Sequence, residues 1–217
     1  MLQKLTRWLE SRLPREARVD PARFGDEVAL KTEWTPLKPG GANFRTRRLV
    51  QVSPHRLEFR SVRGILFFCW LLLLCGLGAV AAGLIQVSSP PRQDAVAPLL
   101  IGAALAAAGG SLLYFCAAPV VFDAQRGLFW KGRRSPDEAF NLREIKKAAK
   151  LGDVHALQLV REHVSDSDSS YTSYELNLVL KDGKRLNVVD HGDLPTLRGD
   201  AGTLSRFLER PLWDVAS

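Results

Sequence analysis

The chain has 217 residues, of which 46% are hydrophobic, and it carries a formal net charge of +7. This hydrophobic content is too high for an intrinsically disordered protein. The mean hydropathy of −0.05 is that of an ordinary soluble protein, but two uncharged runs of 28 residues, at 64–91 and 95–122, hold much of the apolar content. Because a membrane-spanning helix needs roughly 20 apolar residues, this distribution argues against a wholly soluble protein.

Residues 1–28 are predicted to form a short amphipathic helix followed by a linker. The helix is indicated by leucines at helical spacing, which are Leu2, Leu5, Leu9 and Leu13. Pro14 ends the pattern, and the long apolar core of a signal peptide is missing. Three roles fit such a helix, and the sequence leaves them open: it lies on anionic lipid, docks on a partner protein, or covers the protein's own core.

Residues 29–63 show the two-residue alternation that is typical of β-strands. Residues 30–37 are predicted as an edge strand closed by Pro36, and residues 49–62 as two strands joined by a Ser-Pro turn. The glycine-rich stretch at 39–43 is not followed by the Lys-Ser or Lys-Thr helix start of a phosphate-binding loop. We interpret it as a loop, and the aromatic residues on either side make it a candidate contact loop.

Residues 64–120 are predicted to form a transmembrane helical hairpin. The segment between its two apolar spans is short and contains Arg92 as its one basic residue, whereas both outer flanks are rich in basic residues. Since basic residues favour the cytoplasmic side, we expect both termini in the cytoplasm and the hairpin in a bacterial inner membrane. The spans contain no ionisable Asp, Glu, Lys, Arg or His, so no residue there suits transport or proton relay.

Small residues recur every four positions in both spans. They are Cys75, Ala79 and Gly83 in the first span, and Gly102, Ala106 and Gly110 in the second. Such a pattern allows helices to approach closely. Either the two helices pack on each other, or they dock against the membrane helices of a partner.

Residues 121–217 are predicted to continue a sheet that the hairpin interrupts, because strand signals flank the hairpin on both sides. Residues 174–189 form the clearest strand pair, with an Asp-Gly turn. Residues 141–153 fit either a helix or a strand start with a loop, and residues 203–213 are predicted to be a helix. The fold class expected is therefore α+β, with a two-helix membrane hairpin inserted in an antiparallel sheet and a C-terminal capping helix.

Candidates for catalysis or metal binding are few. Two histidines lie near aspartates: His191 near Asp190 and Asp193, and His163 near Asp166 and Asp168. Neither group has further ligands at metal-binding spacing, and polar turns at strand ends explain them equally well. The three cysteines all lie in the spans and form no CxxC pair. We therefore expect no enzymatic activity, no metal and no cofactor.

The basic excess is concentrated where the chain is predicted to meet the membrane. The arginines concerned are Arg45, Arg47, Arg48, Arg60, Arg63, Arg133 and Arg134. Each gains about 1 kcal/mol beside anionic lipid, so we expect them to fix the topology and to contact membrane lipid. Recognition of a specific headgroup is the alternative. Nucleic acid is not expected as a partner, because no reader motif accompanies the charge.

The order of elements over residues 64–213 resembles two known families. The most telling pieces are Phe122-Asp123, residues 127–132, residues 142–145 and residues 204–212. The families are the bacterial membrane proteins with pleckstrin-homology-like (PH-like) domains and, nearer in order and spacing, the photosystem I assembly factors with two membrane spans. The chain departs from both in having over 60 residues before the first span.

The resemblance implies that the sheet is PH-like and that the protein holds or assembles partners without being an enzyme. We therefore expect an inner-membrane scaffold, accessory subunit or assembly factor that binds an integral membrane protein or complex through a PH-like cytoplasmic domain. It does not imply photosynthesis. The alternative function is a membrane module that senses anionic lipid.

Overall fold

Two compact units make up the chain. Residues 45–151 form one unit, which we call the hairpin unit, and residues 1–44 and 152–217 form the other, which we call the terminal unit. The computed structural model describes residues 19–37, 39–88, 91–138, 148–165 and 170–216. The helix expected at residues 1–14 therefore lies outside the described residues, as does most of the ambiguous stretch at 141–153.

The described residues contain four α-helices and nine strands. The helices are α1 (Glu27–Lys31), α2 (Arg63–Val87), α3 (Val96–Cys116) and α4 (Leu194–Leu208). The strands are β1 (Arg47–Ser53), β2 (Arg56–Ser61), β3 (Val120–Asp123), β4 (Leu128–Lys131), β5 (Ala148–Lys150), β6 (Val154–Ser165), β7 (Ser170–Leu180), β8 (Arg185–His191) and β9 (Leu212–Asp214).

The hairpin unit is a five-stranded antiparallel sheet in the order β1 to β5, with α2 and α3 inserted between β2 and β3. Since β2 and β3 pair directly, the two helices emerge from neighbouring strands. The sheet buries a row of aromatic side chains, Phe59, Phe122 and Phe129, all at most 1% exposed. Phe122 lies 4.9 Å from Phe129 between ring centroids. The expected interruption of a sheet by the hairpin is therefore present.

Helices α2 and α3 are long and apolar enough to cross a membrane, judged by length and composition. Only 11% of the most apolar 18-residue window in each helix is buried, and Phe67 and Phe115 are each 69% exposed. Such a large apolar surface is unfavourable in water, so we expect the helices to lie in lipid or against other apolar surface. The second helix ends at Cys116, earlier than the predicted span end at residue 120, because β3 begins there.

The terminal unit is a four-stranded sheet in the order β8-β7-β6-β9. The pairs β6–β7 and β7–β8 are antiparallel, and β9 runs parallel to β6. Helix α4 packs against β6 and β7 through Leu197, Ala201 and Leu204, which are fully buried at three- and four-residue spacing. The fold is thus mixed α and β with largely antiparallel sheets, but in two sheets where the sequence predicted one.

The strand predicted at residues 30–37 is wrong, whereas the predicted C-terminal helix is present with different bounds. Residues 30–37 form no strand, because the Asp26 side chain accepts hydrogen bonds from the Val28 and Ala29 N–H groups and starts α1. The final helix begins earlier than predicted, because Asp193 caps it at the Thr196 N–H. It ends at Leu208, well before Pro211, and the residues beyond it add strand β9.

Candidate functional site

A segment of the terminal unit is held almost entirely through its main chain. This segment, which we call the clamped segment, comprises residues 33–37 and 39–44. The Glu175 carboxylate accepts the Leu37 N–H at 2.9 and 3.1 Å. The Glu162 carboxylate accepts the N–H groups of Gly40 and Gly41 at 2.7 and 3.0 Å. Both carboxylates are buried, at 1% and 8% exposed respectively.

Other side chains of β6, β7 and β8 donate to carbonyl groups of the same segment. These bonds run from Gln158 to Glu33 O at 2.9 Å, from Arg185 to Thr35 O at 2.5 Å and from Ser173 to Ala42 O at 2.9 Å. The backbone of Gly192 adds a bond to Phe44 O at 3.3 Å. Donors and acceptors therefore follow the segment from end to end and fix its path.

The glycines allow this close approach. A Cβ at Gly41 would lie 2.3 Å from the Ser173 Oγ atom, and one at Gly192 would lie 2.2 Å from the Asn43 carbonyl oxygen. Gly40 has a φ of +81°, which favours glycine. The glycine-rich loop expected at residues 39–43 is thus a loop whose glycines allow contact with the sheet.

The clamped segment keeps one aromatic ring in the core and displays two apolar side chains. Trp34 stacks on Phe24 with centroids 5.1 Å apart, and Trp213 lies 5.7 Å from both rings. Residue 24, which the sequence assigned to a linker, is therefore part of a core cluster. Leu37 and Phe44 are not part of that cluster and are 42% and 56% exposed.

A second site lies in the hairpin unit, where the strands meet the helices. A cleft of about 470 Å³ is lined by Arg48, Glu58, Arg60, Ser61, Arg63, Leu66, Ala117 and Pro119. We call it the arginine cleft. The Glu58 carboxylate, 4% exposed, accepts bonds from Arg56 and Arg60 Nε atoms, both at 2.7 Å. Arg56, Glu58 and Arg60 alternate along β2 and therefore lie on one face of the strand, where both arginines pair with the glutamate.

The seven arginines predicted at the membrane surface divide into groups. Arg48, Arg60 and Arg63 line the cleft. Arg47 donates to the Ala118 carbonyl at 2.7 Å, and Arg133 donates to the Tyr114 carbonyl at 3.2 Å. Arg45 donates to the backbone of Arg47, and Arg134 is exposed.

Arg47 and Arg133, together with Ser61, satisfy carbonyl groups at the C-terminal end of α3. Ser61 donates from its hydroxyl to the Cys116 carbonyl. Burial lowers the pKa of the Arg47 guanidinium below its ordinary value, but an arginine remains charged in proteins. These cations therefore complement the negative end of the helix dipole. Their role in the fold is structural, which the charge count alone did not reveal.

The small residues of the two helices meet as follows. A Cβ at Gly76 would lie 2.3 Å from the Ala106 N atom, and one at Gly102 would lie 3.0 Å from the Ala79 Cβ atom. Gly83 is packed against Leu99. Four of the predicted residues, Ala79, Gly83, Gly102 and Ala106, thus lie where α2 and α3 touch.

The other two predicted positions, Cys75 and Gly110, do not carry the contact. Cys75 is exposed, and a Cβ at Gly110 would meet its nearest neighbour, in Leu73, only at 3.9 Å. The backbones approach instead at Gly76 and Gly109, where an added Cβ would meet backbone nitrogen at 2.3 and 2.4 Å. The buried glycines within each helix are seven residues apart, which is the spacing of left-handed helix pairs. This spacing is visible in the sequence and could have identified them as the contact positions.

The histidines serve local structure in the part of the chain that is described. His191 is fully buried, and its Nδ1 atom accepts the Asp193 N–H at 3.3 Å. Asp193 caps α4, and Asp190 accepts a bond from the Asn187 amide at 2.6 Å. His163 lies in β6, while its neighbours Asp166 and Asp168 lie outside the described residues. No group of three metal-ligating side chains occurs within the described ranges.

Two features of the candidate sites were missed from the sequence, the buried carboxylates Glu162 and Glu175. They lie in strands β6 and β7. The available sequence signal was a glutamate in a strand that is otherwise rich in leucine and valine, followed two positions later by Val or Asn. No nearby residue indicated which distant backbone groups each glutamate would bind.

No family model, no curated protein and no solved structure matches this chain. The resemblance to PH-like membrane proteins and two-span assembly factors therefore rests on the order and spacing of elements.

Proposed function

We propose that this protein is a non-enzymatic membrane-anchored scaffold or accessory protein, which binds an integral membrane protein or its complex through the terminal unit. In this proposal α2 and α3 anchor the chain in a bacterial inner membrane, with both termini in the cytoplasm. The PH-like description of the sheets belongs to the same proposal and rests on the element order.

The observation that carries this proposal is the clamped segment. Its main chain is held by buried polar side chains, while Leu37 and Phe44 are displayed at 42% and 56% exposure. A rigid segment loses little conformational entropy when a partner binds. Large apolar side chains are also the usual anchors of protein interfaces. A fixed backbone that presents apolar side chains is thus suited to docking and offers no reactive group.

The experiment is purification of the tagged full chain from its native membranes in mild detergent, followed by mass spectrometry of co-purifying proteins. The test variant is Leu37→Ser with Phe44→Ser. The matched control is Val52→Ser, which removes a side chain of similar exposure, 45%, from the hairpin unit. We expect a membrane protein partner with the wild type and the control, and loss of that partner with the test variant.

Recovery of the wild-type chain alone, as a monomer in several detergents, would contradict the proposal. So would a partner that the test variant retains in full. Because the substituted side chains are exposed, the variant should keep the wild-type unfolding temperature, and circular dichroism melting in the same detergent checks this.

A further inference from the structure

The arginine cleft has an excess of positive charge. Three arginines line it, Arg48, Arg60 and Arg63, against the single carboxylate of Glu58. Both oxygens of that carboxylate already accept bonds, one from Arg60 and the other from Arg56, which lies outside the lining. Glu58 is therefore neutralised by its own pairs, and the cleft has positive charge available for an anion.

One arginine in the cleft has an unsatisfied donor. The Nε atom of Arg48 is buried from solvent and has no hydrogen-bond partner among the described residues. A buried polar atom without a partner is costly, so such atoms are rare in native structures. A shift of the Arg48 side chain toward an anion in the cleft would give this donor an acceptor.

The first turn of α2 adds a second attraction for anions. Arg63 begins the helix and Leu66 completes the turn, and both line the cleft. Val62 at the N-cap gives no side-chain cap, and the turn contains no acidic residue. Ile65 and Leu66 donate to the Val62 carbonyl. The N–H groups of Arg63 and Gly64 therefore remain for an anion at the positive dipole end of this 25-residue helix. Phosphate groups bind at such helix ends.

We infer that the arginine cleft binds the phosphate group of an anionic phospholipid. The phosphate oxygens would accept bonds from Arg48, from Arg63 and from the first N–H groups of α2. Because Leu66 and the rest of α2 continue from the cleft as an apolar helix long enough to span a membrane, the acyl chains have apolar surface beside the phosphate. Inorganic phosphate shares the same recognition chemistry without that apolar contact.

The test measures lipid binding to the purified full chain by native mass spectrometry in detergent. Phosphatidylglycerol and phosphatidylcholine are titrated separately, and inorganic phosphate is added as a competitor. The variants, called cleft variants below, are Arg48→Gln in the cleft lining and Gly64→Glu in the first turn of α2 beside it. The matched controls are Arg134→Gln, an exposed arginine outside the cleft, and Gly152→Glu. Both glycines have open space around an added Cβ, so each accepts the new side chain.

We expect the wild type to prefer phosphatidylglycerol. Each cleft variant should weaken that binding about tenfold, as for loss of a charge-assisted hydrogen bond, while both controls stay within about twofold of wild type. Gly64→Glu should not lower the unfolding temperature, because an acid is favourable in the first turn of a helix. This variant separates lost binding from lost folding.

Competition by inorganic phosphate at millimolar concentration would show that the phosphate group itself is recognised. If inorganic phosphate does not compete and the preference for phosphatidylglycerol is kept, the affinity comes from the lipid as a whole. Equal weakening by Arg134→Gln and Arg48→Gln would overturn the inference, because binding would then follow net charge. Equal affinity for both lipids would overturn it as well. Both cleft variants lie in the hairpin unit, so their outcome is independent of the docking test on the clamped segment.

Discussion

The close approach of α2 and α3 can be tested with a single methyl group. Gly76→Ala places a Cβ 2.3 Å from the Ala106 N atom and 2.7 Å from the Gly102 carbonyl oxygen. Gly78→Ala makes the same chemical change two residues away on the same helix, where an added Cβ meets nothing within 4 Å. The pair of variants therefore differs only in what the methyl group touches.

The structure sets the size of the effect. Non-bonded carbon contacts are optimal at roughly 3.5–4.0 Å, so the backbones at Gly76 must separate by more than about 1 Å. Overpacking of this kind costs about 1–3 kcal/mol. Both alanines gain the same helix propensity of about 1 kcal/mol over glycine. The difference between the two variants therefore isolates the strain, and we expect Gly76→Ala to be less stable than Gly78→Ala by about 1–3 kcal/mol.

Two measurements follow the packing. The first is the unfolding temperature in detergent, which should be lower for Gly76→Ala by about 3–10 °C. The second uses the free thiols of Cys69 in α2 and Cys116 at the end of α3, one on each helix of the hairpin. Oxidative cross-linking of that pair, in a Cys75→Ser background, should be slower in Gly76→Ala. Equal melting and equal cross-linking rates for the two variants would refute the close backbone contact.

Two further predictions concern the terminal unit. Partial burial would raise the pKa of Asp26, but hydrogen bonds from His155 and the Val28 N–H, with attraction to His155, hold it below its ordinary 3.8. Stabilisation by a carboxylate with a depressed pKa is complete above 3.8 and disappears as pH falls through the lower folded value. Asp26→Ala should therefore lower the free energy of unfolding by about 1 kcal/mol near neutral pH. Urea titrations should show the difference between wild type and variant shrinking below about pH 4. A difference that stays constant with pH would contradict the pairing. Trp213→Ala should cost about 3–5 kcal/mol and abolish amide protection of α1, whereas retained protection would exclude a role for the aromatic cluster there.

Sequence patterns predicted the helices and strands whose signal lies in their own residues. The alternation in residues 174–189 corresponds to β7 and β8, and the uncharged runs correspond to α2 and α3. Alternation also placed Glu175, Asn177 and Val179 on the face of β7 opposite the leucines. All three are at most 1% exposed, because the clamped segment covers that side at Glu175. A covering segment more than 130 residues away leaves no trace in the local pattern.

The candidate sites were predictable to different degrees. The arginines were identified as a group from charge alone, and three of them line the cleft. Their division into cleft and helix-capping residues depends on where the α3 carbonyls lie, and residue spacing does not encode that. The helix contact was predicted with a four-residue period, whereas the buried glycines follow a seven-residue period. In an alanine-rich helix, small residues occur at both the four-residue and the seven-residue spacing. Only the three-dimensional packing shows which of the two spacings forms the contact.

The terminal unit is assembled from two pieces of chain with the whole hairpin unit between them. During synthesis, the segment that contains Trp34 leaves the ribosome long before Trp213, its partner in the aromatic cluster. Phe24 and Trp34 therefore lack their contact with Trp213 until the last strand has been synthesised. Contacts of such long sequence separation form slowly. The order of translation thus makes this unit the last part of the chain that can complete its fold.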